Sequence, residues 1–273
     1  MPELPEVETV RRQLADALVG ARLLEVTRLE PRMLGDCDAD QLRAGLPGRR
    51  LEGLDRLGKF MIVRLEGEAY LTLHLGMTGQ LLLDPESADA YTRFIFRLVD
   101  EAGEPVVLHF RDVRKFGRLH FTLGGPAPRL AQLGPDAWVG NWDAAYLAGR
   151  LRRRTAPLKA VLLDQSVLAG IGNIYADEAL WWTGLSPLRP AASLTETEAA
   201  LLAGEIRHRL GEGVRLLGCS LSDFVDTQGK TGGFQEWLQA YGRNGLPCRR
   251  CGGAMTRVVV AGRGTTFCPS CQR

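Results

Sequence analysis

Two stretches of this 273-residue chain carry residue types at spacings that could do chemistry. The first is the opening, Met1-Pro2-Glu3-Leu4-Pro5-Glu6. An initiator Met before a small residue such as proline is normally removed, which leaves Pro2 as a terminal secondary amine. Amines attack electrophilic carbons to give Schiff bases. A buried lysine is the usual alternative. With pKa values of about 7.8 for an α-amino group and about 10.4 for lysine, roughly a third of the first but only ~0.1% of the second is neutral near pH 7.5. Glu3 and Glu6 raise the amine's pKa, whereas the positive end of a helix starting here lowers it. The same residues also read as an ordinary capped amphipathic helix, and alone they leave both readings open.

The second stretch is Cys248-x2-Cys251-x16-Cys268-x2-Cys271. Two CxxC pairs of soft thiolates suit one tetrahedral zinc ion, with redox or iron–sulfur chemistry as the alternative. Four filled positions leave no open site, so the metal is structural. Between the pairs, Thr256-Arg-Val-Val-Val and Thr265-Thr-Phe-Cys read as strands joined by Ala261-Gly-Arg-Gly264, with Arg263 at the tip. Cys37 and Cys219 stand apart and read as packing residues, which fits a reducing compartment and no disulfide framework.

The elements that must hold these groups are legible from periodicity. Leu4, Val7, Val10, Leu14 and Leu18 form one helical stripe, with Pro5 in the first turn. Strands are predicted over 21–29, 49–56, 59–66, 69–75, 79–84, 91–99, 105–110 and 117–122, as in a two-sheet sandwich. Residues 123–137 read as a linker. Helices follow at about 143–153, 157–168, 174–183 and 196–217, the last opened by a Thr195–Glu198 capping box. The predicted class is α+β and multidomain. A first helix and β-sandwich domain spans 1–130, a helical domain 131–238, and a zinc-finger hairpin 239–273.

Composition bounds the rest. Hydrophobic residues make up 45% and charged residues 24%, ordinary for a globular chain. No apolar run approaches the ~20 residues of a membrane span, and no signal peptide precedes the first helix. A cytoplasmic protein without membrane partners is expected. The net charge of +2 hides an asymmetry: from Ala240 onward six arginines and no acidic residue give +6, leaving −4 on the remainder. A basic tail on a mildly acidic body suits a phosphate-binding appendage, though charge alone equally describes a solvated end.

Pro2-Glu3-Leu4-Pro5-Glu6-Val7-Glu8-Thr9 resembles the start of the formamidopyrimidine-DNA glycosylases, bacterial base-excision repair enzymes. Further motifs run nearly to Cys271. Lys159 to Pro187 contains Gly170-Ile-Gly-Asn173-Ile-Tyr-Ala-Asp-Glu, similar to the family's helix–two-turn–helix element, where glycines and a helix start approach phosphate. Arg111-Asp-Val-Arg114-Lys-Phe116-Gly resembles the family's wedge loop, with Val113 where proline is frequent. Asp226 to Gln235 is similar to the flexible loop that closes over the damaged purine.

The resemblance implies a bifunctional glycosylase and abasic-site lyase removing oxidised purines such as 8-oxoguanine and formamidopyrimidines. Pro2 would be the nucleophile and Glu3 the proton carrier. Lys59 and Arg263 would also serve catalysis by gripping phosphate. Glu6, His74, Met77, Arg114, Phe116, Lys159, Asn173 and Lys230 would serve DNA binding. Within that set, Met77 and Arg114 fill the space of the extruded base and Phe116 wedges beside the opposite strand. Zinc is the one cofactor implied, and damaged double-stranded DNA the partner of a monomer that joins the nucleoid on binding. An endonuclease VIII-like enzyme for oxidised pyrimidines is the neighbouring alternative. A non-catalytic zinc-dependent DNA-binding protein is the alternative from another class, but it gives no reason for Pro2-Glu3.

Overall fold

The computed structural model describes residues 2–273, so Met1, whose removal the sequence predicts, lies outside the described residues. The chain divides into two compact units, residues 1–131 with 216–233, and 132–215 with 234–273. This differs from the three-part sequence division. The stretch 216–233 belongs with the sandwich, whose core its Phe224 joins, and the cysteine-rich end with the helices.

In the first unit, α1 (Leu4–Leu18) precedes eight antiparallel strands. These are β1 (Arg22–Arg28), β2 (Leu51–Leu57), β3 (Phe60–Leu65), β4 (Ala69–His74), β5 (Gly79–Leu83), β6 (Thr92–Val99), β7 (Pro105–Asp112) and β8 (Arg118–Leu123). They form two four-stranded sheets, ordered β1-β6-β7-β5 and β2-β3-β4-β8. The strands sit close to where the sequence places them, and alternation is clearest in β6. In β6, Phe94, Phe96 and Leu98 are buried while Arg97 is exposed. The helical stripe joins the same interior: a cavity of about 30 Å³ is lined by Leu14 and Leu18 and by Leu54, Met61, Leu81 and Phe96 from both sheets.

One helix lies outside the sequence expectations. Ala39–Gly45 forms α2, opened by a capping box between Asp38 and Gln41.

The second unit contains α3 (Ala144–Leu151), α4 (Leu158–Leu162), α5 (Asn173–Thr183), α6 (Glu196–Arg215) and the antiparallel hairpin β9 (Thr256–Val260) and β10 (Arg263–Phe267). Helix α4 stops well short of residue 168. Past Leu162 the Asp164 carboxylate accepts from the backbone and hydroxyl of Ser166, and Gln165 bonds Leu163 O, Ile171 O and Gly170 N. These side chains take the bonds a continuing helix would make, which produces the double turn. Gly213 of α6 is forced by close approach, since a Cβ there would lie 2.5 Å from the Tyr175 hydroxyl on α5. No helix among the described residues is long and apolar enough to cross a membrane.

Candidate active site and nucleic-acid interface

The start of α1 is a buried polar junction. Pro2, Glu3 and Glu6 are all buried. The Glu6 carboxylate accepts from Glu3 N at 2.8 Å, and from Cys219 N at 2.7 Å. The first turn is thereby tied to residues 216–233 of its own unit. Two residues on, Glu8 accepts from Arg11, Arg12 and Arg56 at 2.8–3.0 Å, and Arg11 also donates to Leu54 O. Burial alone would raise the Glu8 pKa, but the three guanidiniums outweigh it and hold it at about 2. Helix α1 is locked onto β2 by charge as well as by its apolar stripe.

Lys59 lies in the β2–β3 turn after Gly58 (φ +58°), with its side chain largely buried. The next residue, Phe60, pairs with His74 at the end of β4, their ring centroids 4.7 Å apart. His74 Nδ1 accepts from Gly76 N at 3.0 Å. Burial first, then the positive charges of Lys59, Arg129 and Arg118, pull the His74 pKa down to about 4. His74 is therefore neutral near pH 7, and the acceptor role of Nδ1 places the proton on Nε2.

Met77 and Arg114 come together, Arg114 Nη1 lying 3.7 Å from Met77 Sδ. Phe116 is 53% and Val113 41% exposed, so the loop carries uncovered apolar side chains. Arg93 donates to the carbonyls of Asp112 and Val113, and Arg118 to those of Lys115 and Gly117. The loop is thus held without a proline at 113.

The stretch 226–235, expected to be a flexible loop, is fastened in both halves, Gly232 N donating to Ser220 Oγ at 2.9 Å and Gly233 N to Leu216 O at 2.8 Å. Asp226 accepts from Gln13 Nε2, Gln228 N and Lys230 N at 2.8–2.9 Å. Gln13 also accepts from Thr227 N, and Leu83 N donates to Thr227 O. Lys230 is exposed, its Nζ on Gln228 Oε1.

In the second unit Lys159, expected to serve DNA binding, has no exposed surface. Its ammonium lies 2.6 Å from Asp177 Oδ1 and donates to Thr265 Oγ1 at 2.9 Å and Gly264 O at 3.3 Å. Burial raises Asp177 to about 7 against the pull of Lys159. Asn173 Nδ2 likewise donates to Gly264 O at 2.9 Å. Both side chains hold the hairpin at the residue after Arg263, which is exposed. Glu178, which closes the Gly170–Glu178 motif but is given no role by the sequence, accepts from Gln239 N, Ala240 N and Tyr241 N, each at 2.9 Å. An Asp-Glu pair early in a helix is a signal, but the partners lie some 60 residues further on. The hairpin turn is Ala261-Gly262, both at positive φ, so Arg263 opens β10 instead of lying within the turn.

The four Sγ atoms of Cys248, Cys251, Cys268 and Cys271 all lie within 4.8 Å of one another, with Cys251 and Cys268 at 3.6 Å. Tetrahedral zinc–thiolate bonds of about 2.3 Å place sulfurs about 3.8 Å apart, so the set fits one structural zinc ion.

Three family models cover most of the chain: the formamidopyrimidine-DNA glycosylase N-terminal domain at residues 1–119, its H2TH domain at 133–225, and a zinc finger found in FPG and IleRS at 245–273. The chain belongs to the formamidopyrimidine-DNA glycosylase family. A Thermus thermophilus relative, a formamidopyrimidine-DNA glycosylase, is 45% identical over 277 residues, covering 100% of this chain and 98% of the relative. The crystal structure of that organism's MutM (FPG) protein matches with a TM-score of 0.88 over 99% of this chain and 98% of that one. Lactococcus lactis Fpg is 34% identical. It matches with a TM-score of 0.90 over 99% of each chain when bound to DNA containing an abasic site, and 0.90 over 100% of each when bound to DNA containing an oxidised pyrimidine. A MutM bound to DNA containing carbocyclic 8-oxo-G is 35% identical, with a TM-score of 0.90 over 100% of each chain.

Proposed function

We propose that this member of the family excises oxidised purines from duplex DNA and cleaves the resulting abasic site, with Pro2 as nucleophile. The observation that carries the reading is the start of α1, where a potential terminal amine and the Glu3 carboxylate are held together by the Glu6 bonds to Glu3 N and Cys219 N. A non-catalytic DNA-binding protein has no use for such a junction. The amine attacks the sugar's anomeric carbon and the damaged base leaves. Glu3 carries protons at the sugar, assisting ring opening. The iminium ion acidifies the adjacent carbon, so β- and then δ-elimination follow, leaving a one-nucleotide gap.

The remaining roles are part of the proposal. Lys59, Arg263 and His74 bind phosphate, His74 as a neutral donor from Nε2. Asn173 offers the start of α5 to phosphate, while its own side chain and Lys159 support the hairpin. Met77, Arg114 and Phe116 replace the extruded base, and Lys230 belongs to the loop near the lesion. The zinc ion holds the hairpin and takes no part in the reaction. The β-sandwich, the helices and the zinc-finger hairpin act as catalytic, helical and zinc-finger parts of a cytoplasmic, nucleoid-associated monomer. Oxidised pyrimidines are a second substrate class, favoured by the Lactococcus lactis complex.

Borohydride reduction during turnover of lesion-containing duplex tests the reading. The stable crosslink should map by mass spectrometry to Pro2 with Met1 absent. A crosslink on Lys59, or full activity in protein that retains Met1, would overturn it.

A further inference from the structure

The residues read as a base-replacing wedge come from two separate turns. Met77 sits between β4 and β5, while Arg114 and Phe116 sit between β7 and β8. One buried carboxylate joins them. Asp112, with no exposed surface, accepts from Arg114 N at 3.1 Å and Gly117 N at 2.7 Å on its own turn. It also accepts from the hydroxyl of Thr78, which follows Met77. Thr78 Oγ1 in turn accepts from Arg114 N at 3.2 Å, closing a small ring of bonds.

The backbones meet as well. Gly76, at φ +63°, has no Cβ, and one there would lie 2.6 Å from Gly117 N and from the Phe116 carbonyl carbon. Lys115 holds a left-handed φ of +56° that few non-glycine residues adopt, and its ammonium pairs with Glu30. A strained residue persists only where its surroundings fix it. Here that fixing comes from Asp112 on one side and Arg118 on the other.

We propose that Asp112 is a positioning residue that locks the Met77 turn and the Arg114–Phe116 turn into one rigid wedge, so that base extrusion depends on a carboxylate that touches neither DNA nor the reacting atoms. The inference rests on the glycosylase reading. Extruding a base opens a gap in the stack, and a wedge fills it only if its members arrive together. Two loosely joined turns would reach the gap separately and let the base return. An acceptor with two oxygens is required, because three donors converge on it. Asparagine keeps the shape but turns one oxygen into a donor facing Gly117 N or the Thr78–Arg114 pair.

The test compares single-turnover base release from lesion-containing duplex with strand cleavage of the same duplex carrying a pre-formed abasic site, where no base needs extruding. Asp112→Asn should slow base release on the order of 30-fold and abasic cleavage less than about 3-fold. Thr78→Val removes one donor and leaves the two backbone bonds, so it serves if Asp112→Asn folds poorly. It should slow base release about 5-fold, and Thr78→Ser should restore it. The double variant should be no slower than Asp112→Asn alone, because both act through one ring of bonds. Hydrogen exchange should show protection lost at Arg114 N and Gly117 N. Equal losses on both substrates, or unchanged base release by a folded Asp112→Asn, would sink the wedge role alone. Wild-type protein that releases no base would sink the glycosylase reading and this role with it.

Discussion

The start of α1 and the hairpin β9–β10 present candidate functional groups, Pro2 with Glu3 and Arg263, and they are held by different physics. Helix α1 feeds Val7, Val10, Leu14 and Leu18 into a core that also contains Leu54, Met61, Leu81, Phe94, Phe96 and Phe110. Among the described residues, the buried cluster behind the hairpin includes Trp181, Ala240, Cys248, Met255 and Cys268. Burial of apolar side chains contributes roughly 1.5–3 kcal/mol each, so the first region is fixed by its core. The second adds a metal-binding thiol cluster and the buried carboxylates Asp177 and Glu178 to a smaller apolar cluster. Positioning a nucleophile and positioning a phosphate grip need not draw on the same stabilising force.

Zinc removal is the largest break in that comparison. Structural zinc contributes about 10–16 kcal/mol in small fingers, so chelation or Cys248→Ser should unfold residues 245–273 and weaken DNA binding. Hydrogen exchange should show the α1 region still protected. Purified protein without stoichiometric zinc would contradict the assignment.

Next in size is Lys159→Met. It strands Asp177 in the interior at a cost of about 3 kcal/mol, read as lost exchange protection in β10 and weaker DNA binding. Adding Asp177→Asn should recover part of the loss, and a loss in the sandwich instead would erase the contrast.

On the α1 side, acid is the probe. The Glu8 pKa of about 2 lies below its unfolded value of 4.5, so the stabilisation is complete above pH 4.5 and disappears as pH falls toward 2. Glu8→Gln should therefore be less stable than wild type by about 2 kcal/mol at pH 7, with the gap closing near pH 2 in denaturant melts. The pKa shift alone would give more, but Arg12 is half exposed and water screens its share. His74 adds a second acid sensitivity, since its depressed pKa penalises the folded state as pH drops from 6.5 toward 4. The smallest effect is at the hairpin turn. Ala261 at φ +48° is strained, and Ala261→Gly should stabilise the zinc-bound hairpin by about 0.5–1 kcal/mol in thermal melts.

Short apolar runs cut by turn residues make the eight strands legible, and alternation adds to the signal most clearly in β6. Helix α2 escapes such a reading because it is short, although Asp38-x-x-Gln41 is a capping box that marks its start. The end of α4 is hidden because the run Val161-Leu162-Leu163 continues the helical pattern, and only the bonds from Asp164 and Gln165 show the stop. The cysteine cluster is legible because its ligands occur in two close pairs. The burial of Lys159 is not, since Asp177 and Gly264 reach it only through the fold. Asp112 stands inside a motif that the sequence singles out, yet its partner Thr78 lies 34 residues earlier.

The neutrality of His74 bears on how the protein would behave in different ionic surroundings. A cation that meets a phosphate displaces condensed counterions, and its contribution fades as salt rises, with a log–log slope of roughly −0.9 per contact on duplex DNA. An uncharged imidazole donating from Nε2 displaces none. In its proposed role, His74 would supply a share of the hold that survives when the attraction of Lys59 and Arg263 is screened. Long-range capture and short-range retention would then respond differently to the same change in salt.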